Sequence, residues 1–120
     1  MNAHTTLTQR AQYNLVYQEG RAWVDDLLVL KAVPNGLSLS RYGLSVTKKV
    51  GKAVQRNRLK RLLREITRVQ TVKPGWDVVF IVRPVAVTAD YHQLNKAAIR
   101  LLAQARLLES NNEAVSSRFS

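Results

Sequence analysis

The chain has 120 residues, with 19 Lys and Arg against eight Asp and Glu, giving a net charge of +11 and a pI near 10.8. A composition that is 46% hydrophobic and 22% charged excludes a disordered chain. The absence of cysteine excludes disulfides and thiolate chemistry, and no apolar run approaches the ~20 residues of a membrane span. We therefore expect a soluble cytoplasmic protein, without a membrane partner, whose positive surface attracts a polyanion.

The two ends of the chain are polar and have no hydrophobic periodicity. We expect residues 1–6 and 110–120 to be flexible. Neither an internal repeat nor a linker interrupts the rest, so residues 1–120 are predicted to form a single domain.

The first predicted helix carries two tyrosines. Thr8 is a suitable N-cap and Gly20 a suitable C-terminal stop. Between them Tyr13, Val16 and Tyr17 share one helix face.

Three predicted strands follow this helix. "RAW" and "LLVLKAV" are joined at Asp25-Asp26, and "RYGLSVTK" alternates apolar with polar residues. After a basic helix over about 52–70, the apolar run "DVVFIVR" predicts a buried strand that ends before Pro84. Thr88 is expected to cap a last helix with one apolar face, formed by Tyr91, Leu94, Ala98, Leu101, Ala105 and Leu108. This order predicts an α+β fold on a small sheet.

The basic helix, within "VGKAVQRNRLKRLLRE", has two unlike sides. Its apolar side consists of Leu59, Leu62, Leu63, Ile66 and Val69. Its polar side consists of Asn57, Lys60, Arg61, Arg64 and Arg68. Like charges four residues apart repel each other, so this side weakens the isolated helix and indicates a function other than stability.

Three interpretations of the basic helix differ in what they require. A solvated face normally mixes charges of both signs. A membrane-surface helix would carry Trp or Phe on its apolar side, which the sheet needs as a cover. Arginine dominates the polar side and binds phosphate through its forked donors, so nucleic acid is the preferred interpretation.

The motif "RNRLKR" at Arg56–Arg61, followed by Arg64-Glu65 and preceded by "GLSVTKK" at Gly43–Lys49, resembles the signature of the protein subunits of bacterial ribonuclease P. The helix ending in "YQEG", the "VVFIVRP" strand and the closing amphipathic helix are similar to that family in order, over nearly the whole chain.

The resemblance implies an αβββαβα sandwich with a four-stranded sheet and a left-handed βαβ crossover, the ribosomal protein S5 domain 2-like fold. General connection rules alone would favour a right-handed crossover. The resemblance takes precedence over that expectation.

The resemblance also implies the function of an accessory subunit. Ribonuclease P is the endonuclease that removes the 5′ leader of precursor tRNA, and its RNA subunit performs the chemistry with Mg²⁺. The protein would bind the RNA subunit, in a 1:1 assembly, and the leader of the precursor tRNA. It would be inactive alone, and no cofactor is expected to be bound by the protein itself.

Site residues follow from the resemblance position by position. The residues expected to bind the RNA subunit are Lys48, Lys49, Lys52, Arg56, Asn57, Arg58, Lys60, Arg61, Arg64 and Arg68. Those expected to bind the leader are Tyr13, Tyr17, Lys31, Ser45 and Thr47. Lys31 stands at a strand position that is aromatic in some members of the family.

Residues for protein-based catalysis are sparse. A protein nuclease needs a general acid and base or a carboxylate cluster that holds a metal. His4 lies in an expected loose end, His92 in the first turn of a helix, and Asp25-Asp26 in an expected turn, while Glu65 is expected to pair with arginines. Two alternatives remain: a small basic ribosomal or ribosome-associated protein, and a DNA-binding helix module. The latter is disfavoured because the basic helix follows a strand.

Overall fold

The computed structural model describes residues 4–109. They contain five strands and three α-helices in the order β1 (His4–Thr6), α1 (Arg10–Glu19), β2 (Arg21–Val24), β3 (Leu28–Pro34), β4 (Ser40–Ser45), α2 (Ala53–Val69), β5 (Trp76–Val82) and α3 (Tyr91–Gln104). A short 3₁₀ helix, Pro84–Thr88, precedes α3. None of the helices in this part of the chain is both long and apolar enough to cross a membrane.

The strands form one mixed sheet in the order β1-β4-β5-β3-β2. β5 is central: it pairs antiparallel with β3 and parallel with β4. The parallel neighbours β4 and β5 are joined through α2, which is the predicted β–α–β crossover. The predicted α+β fold is therefore confirmed, with a short fifth strand added at one edge.

That fifth strand corrects one expectation. Residues 4–6 were predicted to belong to a flexible end, yet His4–Thr6 pair in parallel with Ser40–Tyr42. The backbone N–H and C=O groups of these residues bond to β4, so the segment is ordered although its side chains are polar. The predicted flexible end at 110–120 lies outside the described residues.

Helices cover both faces of the sheet. On one face α2 and α3 enclose the main core, in which Phe80, Leu63 and Leu101 are fully buried. On the other face α1 packs through a smaller cluster of Leu7, Val16 and Val79. The sheet thus separates the tyrosines of α1 from the arginines of α2.

Two predicted helix caps are wrong. Gln9, not Thr8, caps α1, and Asp90, not Thr88, caps α3. In each case a glutamine three residues into the helix accepts a bond from the cap N–H: Gln12 Oε1 lies 3.0 Å from Gln9 N and Gln93 Oε1 lies 3.0 Å from Asp90 N. At α3 the bond is reciprocal, since Asp90 Oδ1 accepts from Gln93 N at 2.8 Å. Thr88 instead ends the 3₁₀ helix. The predicted stop at Gly20 is confirmed.

The predicted apolar faces hold in the helix centres and fail at the ends. Leu94, Ala98 and Leu101 of α3 are buried as predicted, whereas Tyr91 is exposed. The helix ends at Gln104, and Leu108 beyond it is buried through a bridge to Val72.

Candidate RNA interface

The start of α2 is fixed by its own side chains. Lys52 N donates to Gln55 Oε1 at 2.8 Å, and Arg56 Nε donates to the Gly51 carbonyl at 3.1 Å. From there, Leu59, Leu63 and Ile66 are fully buried against the sheet, at the spacing of one helix face. Val69 was predicted to join them, but it is 54% exposed because it lies in the last turn.

Three basic side chains of α2 bind within the protein. Arg58 Nη2 donates to the Ala89 carbonyl at 2.8 Å, which ties α2 to the segment before α3. Arg56 closes the preceding loop, and Arg68 pairs with Glu65 at 2.6 Å, as expected for Glu65. Arg56 and Arg58 are half-buried. These arginines therefore contribute to the fold as well as to the positive charge.

Other basic side chains on this side have no protein partner within residues 4–109. Five of them make no side-chain hydrogen bond or ion pair there: Lys48, Lys49, Lys60, Arg61 and Arg64. All except the half-buried Lys60 are exposed, and so is Asn57. We call this set the free basic surface. Its uncompensated charge is what binding of a phosphate backbone requires.

The opposite face of the sheet carries the two tyrosines. The Tyr13 and Tyr17 rings are half-buried, with centroids 6.3 Å apart and planes tilted by 46°. Tyr13 lies directly on β4: a methyl group at Gly43 would be 2.6 Å from Cε1 of the ring. We call the half-buried surface between α1 and the three strands β3, β4 and β5 the tyrosine groove. It offers ring faces on which bases can stack.

Lys31 is held in the same groove. Its Nζ donates to the carbonyl of Tyr17 at 2.9 Å, so the cation lies at the C-terminal end of α1, where the helix dipole favours positive charge. It makes no ion pair with a carboxylate in the described part of the chain. Sequence reasoning placed Lys31 near the leader site but missed this bond, because the acceptor is a backbone carbonyl on another element.

The remaining predicted leader residues lie at the end of β4. Ser45 is the last residue of the strand, pairs with Ile81, and follows Gly43 on the face beneath α1 by strand alternation. β4 stops there, so Thr47 lies exposed in the loop that leads to α2. Ser45 thus borders the tyrosine groove, and Thr47 lies between the groove and the free basic surface.

Arg41, in contrast, is paired. Its Nε and Nη2 contact the two carboxylate oxygens of Asp77 at 2.8 and 2.7 Å, and Asn35 Nδ2 donates to the same carboxylate at 2.9 Å. Only 2% of the Asp77 side chain is exposed. The bonds to Asp77 raise the pKa of the Arg41 guanidinium. Arg41 joins two parallel strands and is not part of the free basic surface.

A cavity of about 220 Å³ lies at the β4 edge of the sheet, where the tyrosine groove meets the basic side of α2. Within residues 4–109, β1 pairs with Ser40–Tyr42, and β4 beyond Tyr42 has no partner strand on that side. The lining includes Tyr13 from α1, Leu44 from β4, and Lys60 and Arg64 from α2. This contact between the two predicted sites was not foreseen from the sequence, which gave no relative position for the two helices.

The acids and the histidine considered for catalysis lie away from the two proposed RNA-binding surfaces. Asp25 and Asp26 lie in the β2–β3 connection, as predicted, and Asp25 accepts bonds from Leu27 N at 3.2 Å and from Arg100 Nη1 at 2.5 Å. His92 is exposed on α3. Within residues 4–109 no group of three or more His, Asp or Glu side chains could hold a metal ion.

The similarity of this chain to known proteins shows its family. The model of the Ribonuclease P family matches residues 1–106. The chain belongs to the ribonuclease P protein family. It is 45% identical to the ribonuclease P protein component of Dehalococcoides mccartyi. The 118 aligned residues cover 98% of both chains. It is 42% identical to that of Herpetosiphon aurantiacus, over 89% of both chains.

Solved structures agree with the fold. The ribonuclease P protein from Thermotoga maritima superposes with a TM-score of 0.76 at 31% identity, covering 82% of this chain and 96% of that one. A Staphylococcus aureus ribonuclease P protein mutant gives a TM-score of 0.80 at 26% identity over 88% of this chain. The protein is thus an accessory subunit of ribonuclease P, and the ribosomal and DNA-binding alternatives are set aside.

Proposed function

We propose that the free basic surface binds the RNA subunit of ribonuclease P and that the tyrosine groove binds the 5′ leader of precursor tRNA. The observation that carries this proposal is the division of α2. One side is buried against the sheet, while the other presents Lys60, Arg61 and Arg64, which no carboxylate among residues 4–109 neutralises.

The residue roles within this proposal follow the geometry. Lys48, Lys49, Lys60, Arg61 and Arg64 supply phosphate contacts, and Asn57 beside them offers an amide that can both donate and accept. Lys52 lies exposed just before the first turn of α2, and Arg68 lies exposed in its last turn. Arg56 and Arg58 hold the helix in place and bind RNA with their remaining donors.

The leader site uses stacking more than hydrogen bonds. Ring faces at Tyr13 and Tyr17 accept any base, whereas hydrogen-bond patterns differ from base to base. Ser45 and Thr47 provide hydroxyls at the end of the groove, and Lys31 supplies a fixed cation. Such a site suits a protein that must accept many leader sequences.

The chemistry is proposed to belong to the RNA subunit, with Mg²⁺ as its metal, in a 1:1 complex in the cytoplasm. The protein then contributes affinity and charge neutralisation. A phosphate neutralised by arginine or lysine no longer requires a counterion, so the RNA should fold and bind substrate at a lower Mg²⁺ concentration.

Reconstitution tests this proposal. Rigorously RNA-free protein, the RNA subunit alone, and the two together are compared for cleavage of precursor tRNA across a Mg²⁺ titration. We expect no cleavage by the protein, and cleavage by the complex at Mg²⁺ concentrations where the RNA alone is slow. Cleavage by the protein alone, or an RNA that gains nothing from the protein at low Mg²⁺, would contradict it.

A further inference from the structure

The cavity at the β4 edge is lined by two cations as well as by aromatic and apolar side chains. Lys60 and Arg64 are four residues apart on α2, so their like charges repel. Neither side chain has a hydrogen-bonding or ionic partner within residues 4–109. An anion between them would remove this repulsion.

The other walls of the cavity are aromatic and apolar. Tyr13 packs closely on Gly43, which has no side chain. Leu44 lines the cavity from the other face of β4, where it is half-buried against the main core. Tyr42 forms a further wall, and burial raises the pKa of its hydroxyl. Cationic and aromatic walls together match a phosphate with its attached base.

The size of the cavity limits the ligand. At about 220 Å³ it is smaller than the ~300–1,000 Å³ of pockets that enclose whole drug-sized ligands. It is therefore too small for a folded RNA element, and its size limits the ligand to about one nucleotide of a strand. It opens at the sheet edge that β1 leaves unpaired beyond Tyr42, so a strand can enter and leave.

We propose that this cavity binds a single nucleotide of an RNA strand, with the base against Tyr13 and Leu44 and the phosphate between Lys60 and Arg64. The inference rests on the proposed function and changes one part of it. Lys60 and Arg64 then act together with a residue of the tyrosine groove, and the two RNA-binding surfaces form one continuous path around the edge of β4.

A double-mutant cycle tests the proposal. Tyr13→Ala, Lys60→Gln and the double variant are assembled with the RNA subunit. Three dissociation constants are measured: protein with RNA subunit, holoenzyme with precursor carrying a leader, and holoenzyme with mature tRNA. One shared nucleotide predicts that the double variant loses less affinity than the product of the single losses, by about threefold or more.

Arg61→Gln is the matched control. Arg61 lies next to Lys60 in sequence and belongs to the free basic surface, but does not line the cavity. Its loss should combine multiplicatively with that of Tyr13→Ala. Removing one positive charge from α2 is common to both variants, so only the position relative to the cavity differs.

A filling variant keeps the test independent of the tyrosine. Thr6 is exposed and lines the cavity, and a tryptophan there suits an edge strand. Thr6→Trp should reproduce the affinity loss of Lys60→Gln with an unchanged melting temperature. Thr8→Trp, at an exposed position that does not line the cavity, should not.

The three constants identify the strand. Coupling confined to the precursor with its leader assigns the nucleotide to the leader, and coupling in the binding of the RNA subunit assigns it to that RNA; either supports the cavity as a site. Multiplicative losses in all three constants overturn it. That result leaves the proposed function intact, whereas protein that never stimulates cleavage overturns the proposed function itself.

Discussion

At the scale of single residues, Gly43 determines how closely Tyr13 approaches the sheet. A Cβ atom at this position would lie 2.6–2.8 Å from three atoms of the Tyr13 side chain. Contacts under about 3 Å cannot be kept, so the half-exposed ring must move. The sheet itself need not change, because the backbone of Gly43 is an ordinary strand paired with Val79.

Gly43→Ala should therefore weaken binding of precursor tRNA with a leader and leave binding of mature tRNA almost unchanged. The expected loss approaches that of one stacked base, about 1–3 kcal/mol. Gly43→Ala/Tyr13→Ala should bind no worse than Tyr13→Ala alone, since the ring that the methyl group displaces is absent. If the two losses add instead, Gly43 does not act through Tyr13.

Lys31 shows how one side chain can serve both fold and binding. Its bond to the Tyr17 carbonyl uses one of three donors and leaves two for solvent or a ligand. Because the bond fixes the ammonium group beside Tyr17, a phosphate would meet a cation that is already in place.

Lys31→Met should lower the leader-dependent affinity, and its salt dependence should fall by about 0.7 in log–log slope, the value for one contact to a single strand. Arg21→Met is the matched control. Arg21 lies opposite Ala32 in the β2–β3 ladder, one residue out of step with Lys31, so its side chain is on the other face of the sheet, over the Trp23 ring. The Arg21→Met substitution therefore removes the same charge from that other face. An equal effect of both substitutions would show that only net charge matters.

At the scale of elements, α2 separates stability from binding along its two sides. Leu63 is fully buried in the main core, whereas Arg61 is exposed and unpaired within the described residues. Substitutions at these two positions, only two residues apart, should give opposite results.

Leu63→Ala should lower the free energy of unfolding by about 2–5 kcal/mol, the usual cost of a cavity in a core. Arg61→Ala should leave unfolding unchanged and weaken binding of the RNA subunit, with a smaller salt slope by about one phosphate contact. Denaturant unfolding and a binding titration at several salt concentrations measure both. A stable Leu63→Ala protein, or an Arg61→Ala protein with unaltered RNA affinity, would contradict this division.

Arg58 should fall between these cases. Its bond to the Ala89 carbonyl holds α2 to the segment before α3, and the guanidinium is half-buried. Arg58→Ala should lower both the melting temperature and the affinity for the RNA subunit. Thermal melting measures the first quantity and a binding titration the second. A change in the melting temperature alone, or in the RNA affinity alone, would contradict this prediction.

The sequence predicts α2 well because the signals are local. The leucine spacing and the run of arginines placed the helix at about 52–70, and it is observed at Ala53–Val69. The caps of α1 and α3 failed for a local reason too: Gln12 and Gln93 bond back to Gln9 and Asp90, a preference that a search for threonine misses. The partners of Arg58 and Lys31 could not be predicted, because both are backbone carbonyls on distant elements.

At the scale of the whole molecule, the sheet keeps the two proposed RNA sites apart except at the β4 edge. Tyr13 and Tyr17 lie with α1 on one face, and α2 lies on the other. The family resemblance placed residues in these sites, but only the fold shows that they meet at the cavity beside Leu44.

Tyr13→Ala/Tyr17→Ala should accordingly weaken binding of a precursor with a leader of several nucleotides, by about 1–3 kcal/mol per stacked base. Binding of mature tRNA and of the RNA subunit should hardly change. A variant that melts much earlier and binds both tRNAs equally badly would indicate that the tyrosines serve packing alone.

The central place of β5 has a consequence for how the chain folds during synthesis. β3 and β4 do not pair with each other; each pairs with β5, and Trp76–Val82 emerge after all the other strands. Until then the leucines of α2 have no sheet to cover, and its arginines are already available to any RNA nearby. Assembly of the sheet must therefore wait for one late segment and then proceed through contacts distant in sequence, which slows folding and lengthens the exposure of apolar surface. A nascent chain that stops before Trp76 therefore lacks the central strand and exposes both apolar surface and positive charge. Once Val82 has followed, the sheet can form, and α3 then completes the main core.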